Sequence, residues 1–207
     1  ASMLDNPILK DRIPEIMAQM AGYPESYRAA VIYGEWYTGD SAVYFWEDNM
    51  VCPVPDDYLS TWRHLEACDP AMQSKMGHIV FAEEPNTGTW WMISSDYIKG
   101  LDSPKAYVEE ALKRTATKAI MRRVSDIAPW YTTTAAAEFG VSYQNPFRKT
   151  ERKDELIKSL QTILSEGRLK IAPECVDFIN EISTCQWSET APGRIVNGQS
   201  YHCLDAA

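Results

Sequence analysis

The stretch that decides the fold is "SPKAYVEEALKRTATKAIMRRVSD", residues 103–126, where a helical pattern is followed at once by a strand pattern. Ser103 and Pro104 are a preferred N-cap and a preferred first helical residue. The segment "AIMRRVSD" predicts a strand that ends in Asp126. Because a helix that returns the chain to its own sheet joins parallel strands, this stretch predicts an α/β fold.

Three strands are predicted before this stretch, in "WRHLEACD" (62–69), "GHIVFAEE" (77–84) and "TWWMISSDYI" (89–98). The "PNTG" turn signal at 85–88 separates the last two, which favours a hairpin. The first strand ends at Asp69, because Pro70 pushes the residue before it towards extended geometry and stops the strand. The three strands are therefore expected to be antiparallel neighbours.

Helices and short strands are predicted to alternate after Asp126. The helices are "PWYTTTAAAEFG" (129–140), "KDELIKSLQTILSEG" (153–167), "CVDFINEIST" (175–184) and a last one that begins in "SYHCLDAA" (200–207), and the short strands are "VSYQNPF" (141–147) and "RLKIAP" (168–173). Gly140 and Gly167 are typical helix stops. This order predicts a mixed sheet, with three antiparallel strands and then parallel ones, and helices on both faces.

Composition restricts the class of protein. The chain has 207 residues, 45% of them apolar, which is enough for one domain with a real core. No apolar run reaches the roughly 18 residues of a membrane span. The five cysteines are widely spaced, which predicts reduced thiols rather than disulfides or a zinc site. The net charge of −9 argues against a nucleic-acid binder, although most basic residues cluster between Lys105 and Lys170.

Three acidic residues lie where chain elements end or begin. Asp69 closes the first strand, Asp126 closes the fourth, and Asp205 lies in the first turn of the last helix. A right-handed crossover can lay the fourth strand beside the first, so that both carboxylates reach one edge of the sheet. Converging carboxylates require cations, and oxygen ligands select Mg²⁺ or Mn²⁺. Taken singly, each residue has a plainer interpretation as a turn former, and Asp126 as a cap of the helix at Pro129.

The motifs, in their order, resemble those of one protein family. "ACDPA" (67–71) with "GHIVFAEEPNTGTWWMI" (77–93), "RRVSDIAPWYTTTAAAEFGV" (122–141) and "NGQSYHCLDAA" (197–207) are similar to the three acidic motifs of the nuclease domain in the large terminase subunit of tailed bacteriophages. "GRLKI" (167–171) and "FINEISTCQW" (178–187) resemble the region between the last two motifs. The lead-in "LDNPIL…PESYRAAVIYGEW" resembles the segment that joins the ATPase to the nuclease in that family.

The resemblance implies a fold, an activity and partners. It implies an RNase H-like nuclease domain over residues 41–207, preceded at 1–40 by a helical lead-in from an ATPase domain outside this chain. The sequence lacks the GxxxxGK[ST] phosphate-binding loop of such an ATPase. By resemblance, Asp69, Asp126 and Asp205 hold two Mg²⁺ or Mn²⁺ ions that cleave double-stranded DNA. The implied partners are the ATPase domain, the small terminase subunit and the portal, in the cytoplasm of an infected host cell.

Residues near these acids have alternative interpretations. His202 precedes Asp205 by three, so both lie on one side of a helix, and His202 is a possible second-shell residue or a local packing residue. A Cys203–His202 nucleophile pair is disfavoured, since adjacent helical residues point apart. The segment "FRKTERK" (147–153) is either a DNA-backbone contact or a solvated helix start. Its DNA-binding candidates are Arg148, Lys149, Arg152 and Lys153.

Two other functions stay open. One is an RNase H-like nuclease that acts on branched DNA or on hybrids, which a comparison of substrates would separate from the first. The other is a docking module of the same fold that has no catalysis and binds the portal. Its signature would be no metal binding alongside measurable affinity for that partner.

Overall fold

A computed structural model of the chain describes residues 9, 12–19, 32, 42–44, 48–71, 75–126, 128–145, 149–187, 195–196 and 201–207. The strands are β1 (Arg63–Asp69), β2 (Lys75–Glu83), β3 (Trp90–Lys99), β4 (Ile120–Ser125) and β5 (Leu169–Ile171). The helices are α1 (Ile13–Gln19), α2 (Pro104–Thr115), α3 (Pro129–Phe139), α4 (Lys149–Ser165), α5 (Val176–Thr184) and α6 (His202–Ala206), with a 3-10 turn at Asp48–Met50. None of the described helices is long and apolar enough to cross a membrane.

The five strands form one mixed sheet in the order β4-β1-β2-β3-β5. β1, β2 and β3 are antiparallel neighbours, as predicted. α2 leads from β3 back to β4, which pairs with β1 in parallel. The crossover in 103–126 therefore lays the fourth strand beside the first, and this confirms the mixed sheet.

The described part of the fifth predicted strand (141–147), residues 141–145, forms a single bridge instead of a ladder. Gln144 forms an isolated parallel bridge with Val124 of β4, and its backbone exchanges hydrogen bonds with Ser125 and Arg123. Gly140 turns the chain with a φ of 65° immediately before it, and residues 146–147 of the predicted strand lie outside the described residues. The predicted strand at 168–173 does form as β5, but it pairs in parallel with β3 at the opposite edge.

Helices cover both faces of the sheet, as predicted, and each face has its own core. α2 and α3 bury Tyr107, Val108 and Tyr131 against one face. On the other face α4, α5 and α6 bury apolar side chains against the 65, 67, 79, 81 and 92 positions of the strands. Because alternate strand residues point to opposite faces, Asp69 lies on the same face as Ala67, below α6.

Local capping chemistry explains where two helices begin and end. The Ser103 hydroxyl accepts a hydrogen bond from the backbone N–H of Ala106 at 3.3 Å, and Pro104 follows as the first helical residue of α2. α3 ends at Gly140, whose left-handed backbone caps the helix. Its N-cap is Ala128, which makes no side-chain cap hydrogen bond, so Asp126 is not the N-cap of this helix.

Part of the predicted lead-in lies outside the described residues. Within residues 1–40 the structure describes 9, 12–19 and 32, which include helix α1. The division of the chain at residue 40 therefore stays a prediction.

Candidate active site

Two of the three predicted aspartates follow neighbouring parallel strands. Asp69 is the last residue of β1, and Asp126 comes directly after β4. Cys68 pairs with Ser125 in the parallel ladder, and the backbone N–H of Asp126 donates to the Cys68 carbonyl at 3.4 Å. The structure thus brings Asp69 and Asp126 to the same edge of the sheet. Asp69 is 7% exposed, and Asp126 is partly exposed.

Helix α6 lies directly on the sheet beside Asp69. It packs against β2, β1 and α5. Gly77 of β2 is paired with Asp69, and a Cβ atom at Gly77 would overlap the carbonyl group of His202. The absence of a side chain at Gly77 therefore permits the close approach of α6 to the strand backbone.

His202, the first residue of α6, contacts Asp69. Its Nδ1 atom lies 2.8 Å from Oδ2 of Asp69, and both side chains are mostly buried. An ionised carboxylate only accepts hydrogen bonds, so Nδ1 carries the proton in this contact. The imidazole thus holds the Asp69 carboxylate in one orientation, and a role of His202 beside an ion stays a prediction.

Asp205 lies one helical turn after His202, on the same side of α6. It is partly exposed and lines a cavity of about 170 Å³ together with Tyr44, Leu204 and apolar residues of α4. Burial raises the pKa of Tyr44, and the charges of Cys185 and Asp205 raise it further. The third aspartate is thus carried by the helix that packs against β2 and against β1, the strand that ends in Asp69.

A divalent ion fits the three aspartates by donor chemistry. Carboxylate oxygens are the ligands that Mg²⁺ and Mn²⁺ prefer. Among the described residues, however, a different group has three potential ligand atoms that all lie within 4.8 Å of one another. That group is Glu66, Cys68 and His78. At least one pair of the three aspartate carboxylates is therefore farther apart than this.

The Glu66, Cys68 and His78 cluster was missed by sequence reasoning. The three side chains lie on the face below α2 and α3 and are at most 2% exposed. Glu66 Oε1 accepts from Tyr143 OH at 2.9 Å and lies 3.2 Å from His78 Nε2. The signal was a Glu and a Cys at alternate positions of β1, with a His directly opposite the Cys on β2.

This buried cluster does not fit a divalent ion. Arg123 Nε lies 3.0 Å from Glu66 Oε2, so the carboxylate already has a cationic partner. Burial raises the pKa of the Cys68 thiol well above its ordinary value, which keeps the sulfur protonated. Adding a dication would leave an uncompensated positive charge in the core, a costly arrangement. Glu66 and Arg123 therefore form a structural ion pair that, with the contact of His78, joins β1, β2 and β4.

Cys203 has neither the exposure nor the ionised thiol that a nucleophile needs. Its side chain is fully buried, and Sγ lies 4.0 Å from the backbone carbonyl of Asp96. Burial raises the pKa of this thiol to about 12. The neighbouring imidazole of His202 contacts Asp69. The geometry therefore agrees with the sequence argument against a Cys203–His202 nucleophile pair.

For the basic DNA-binding candidates, the structure describes only positions along the backbone. Lys149, Arg152 and Lys153 lie in the first turns of α4, and Arg148 lies outside the described residues. On β4, Arg122 and Arg123 point to opposite sides, as strand alternation requires. Arg123 reaches Glu66, while Arg122 Nε donates to Gln144 Oε1 at 2.9 Å.

No protein-family model matches the sequence, and no curated protein matches it. Solved structures do match the fold. The large terminase of a thermophilic bacteriophage superposes with a TM-score of 0.72 at 20% identity, covering 92% of this chain and 48% of that chain. The chain therefore spans about half the length of that protein.

Isolated nuclease domains match as well. The large terminase nuclease of thermophilic phage G20c with bound cobalt has a TM-score of 0.60 at 16% identity, and the alignment covers 82% of this chain and 97% of that one. The large terminase nuclease domain of bacteriophage SPP1 with bound Mn has a TM-score of 0.60 at 11% identity, covering 75% and 90%. The RNase H-like expectation is confirmed, and the chain has the fold of the nuclease domain of phage large terminases.

Proposed function

We propose that this chain is the metal-dependent endonuclease domain of a viral DNA-packaging terminase large subunit, which cleaves double-stranded DNA by phosphodiester hydrolysis. The observation that carries the proposal is the placement of Asp69 and Asp126 at adjacent strand ends, with α6 and its Asp205 packed over β1 and β2. Ligands in sheets of this kind gather at the carboxyl ends of strands.

In this proposal Asp69, Asp126 and Asp205 hold two Mg²⁺ or Mn²⁺ ions. The ions supply activation of a water molecule and stabilisation of the leaving oxygen. Asp69 would be the central ligand, because β1 lies inside the sheet between β4 and β2. His202 keeps the Asp69 carboxylate in one orientation by holding a proton at Nδ1. The Mn bound to the SPP1 nuclease and the cobalt bound to the G20c nuclease support this class of cofactor.

DNA is proposed to approach through the basic start of α4, with Arg148, Lys149, Arg152 and Lys153 as backbone contacts. The net charge of −9 repels DNA over the rest of the surface, so the isolated domain should act weakly. In the full-length protein, the ATPase domain would deliver DNA, with the small terminase subunit and the portal as partners, in the host cytoplasm.

A plasmid-nicking assay with Mn²⁺ tests the activity. Replacing Asp126 by Ala removes a proposed ion ligand, so nicking should fall by more than about 100-fold, the scale of losing a positioned catalytic group. Asp102→Ala is the matched control, because Asp102 is exposed in the loop before α2. Equal nicking by wild type and Asp126→Ala would overturn the proposal. Junction and RNA–DNA hybrid substrates in the same assay separate a related RNase H-like nuclease from this one.

The separation of the aspartate carboxylates favours one second candidate, a docking module of the same fold without catalysis. It would bind the portal and take up no divalent ion. Calorimetry distinguishes the two: the nuclease binds Mn²⁺ in a manner that depends on Asp126, whereas the docking module gives no heat with Mn²⁺ and a measurable affinity for the portal.

A further inference from the structure

Helix α6, which carries Asp205, is too short to be stable without tertiary contacts. α6 has five residues, and its N-cap residue, Tyr201, makes no side-chain cap hydrogen bond. Isolated helices of this length are unstable in water, and the first N–H groups of a helix need acceptors. An external contact must therefore fix the position of α6.

Glu181 of α5 supplies that contact. Its Oε2 accepts a hydrogen bond from the backbone N–H of Leu204 at 2.7 Å, and the N–H of Cys203 also stabilises the carboxylate. These are N–H groups of the first turn of α6, so a buried carboxylate from a neighbouring helix takes the place of an N-cap side chain.

The other oxygen of this carboxylate is held by the sheet. Tyr97 of β3 donates its hydroxyl proton to Glu181 Oε1. The ammonium group of Lys75 lies 3.7 Å from the centre of the Tyr97 ring, which adds a cation beside the cluster. Glu181 is 5% exposed, and burial raises its pKa. A carboxylate this buried is costly unless it is fully paired, so its retention here requires these contacts.

We propose that Glu181 is a positioning residue of the ion site. It holds α6 against β3 and α5, so that His202 contacts Asp69 and Asp205 stays on a helix packed against β1 and β2. The inference rests on the proposed function, because the group being positioned is an ion ligand. Glu181 itself touches neither the substrate nor the ions.

The test measures Mn²⁺ affinity and α6 protection in the same set of variants. Glu181→Ala should weaken Mn²⁺ binding by about 10- to 100-fold, the usual effect of losing a residue that orients a ligand. Hydrogen exchange of the 203–205 amides should speed up, while the amides of β1 and β2 stay protected. Glu181→Gln keeps one acceptor oxygen and should recover part of the affinity. Glu109→Ala, at an exposed position of α2, is the control.

The outcomes separate this inference from the proposed function. If Asp126→Ala loses Mn²⁺ binding but Glu181→Ala binds like wild type, only the positioning role is overturned. If Asp126→Ala binds like wild type, the proposed ion site fails and takes this inference with it. If Glu181→Ala does not fold, the Mn²⁺ affinities of Glu181→Gln and Tyr97→Phe are measured instead. Unchanged Mn²⁺ affinity in both variants would overturn the positioning role of Glu181.

Discussion

At the scale of single residues, the chemistry depends on which groups are buried with a partner. Asp69 is mostly buried and contacts His202, while Glu66 is fully buried and pairs with Arg123. The sequence predicted the strand positions of Asp69 and Asp126, since Pro70 stops the first strand and the strand pattern of 119–126 ends in Asp126. It could not reveal the partner of Glu181, because that contact joins residues more than twenty positions apart through tertiary packing.

Thiol reactivity gives a prediction at this scale. Burial raises the pKa of Cys175 and of Cys203 to about 12. At about pH 8, each of these two thiols is therefore ionised in roughly one molecule in ten thousand. Cys52 is partly exposed and should react first with a maleimide, and denaturant should release all five thiols. Mass spectrometry after brief labelling reads out the sites, with Cys52→Ser as the control. Labelling of Cys203 as fast as Cys52 would contradict its buried position.

At the scale of helices and strands, the position of the candidate site depends on how closely α6 approaches β2. The helical pattern of α4, the Ser103 N-cap of α2 and the Gly140 C-cap of α3 were readable because they are local in sequence. The pairing of β5 with β3 was not, because a strand of three residues carries little information on its partner. Nor did the pattern around Gly77 show that a helix would lie on it.

Gly77→Ala tests this close approach. The new methyl group would overlap the His202 carbonyl, so α6 must move away or β2 must shift. We expect a loss of about 1–3 kcal/mol in unfolding free energy, the cost of overpacking, together with faster hydrogen exchange in α6.

Gly100→Ala is the matched control for this variant. Gly100 has a φ of 71°, so alanine is strained there, yet no atom of the described residues lies within 4 Å of the added Cβ. It should lower stability without exposing α6. Equal α6 protection in Gly77→Ala and wild type would contradict the packing described for this helix.

At the scale of the whole molecule, two cores on the two faces of one sheet set the positions of the candidate site. The order of strands and helices was predictable, because each has a clear period and turn signals between them. The buried Glu66 network was not, since charged residues in a strand usually face solvent. Helices cover both faces of this sheet, so neither face is open to solvent. The buried Glu66 carboxylate is therefore paired with Arg123 and contacts His78.

Glu66→Ala tests whether this network is structural. It leaves Arg123 and His78 in the core without their shared partner, so the free energy of unfolding should fall by about 3–5 kcal/mol. Chemical denaturation measures the change, and Glu109→Ala should stay within about 0.5 kcal/mol of wild type. A loss no larger than that of the control would contradict the network. Zinc that stabilises the wild type but not Glu66→Ala would show a metal centre instead.

The central claim is that the sheet edge and α6 bring Asp69, Asp126 and Asp205 to a shared pair of divalent ions. Anomalous diffraction from a crystal soaked in Mn²⁺ tests it most directly. We expect two peaks roughly 4 Å apart among these three side chains. A crystal without a peak that at least two of these carboxylates coordinate, at about 2.1 Å, would contradict it.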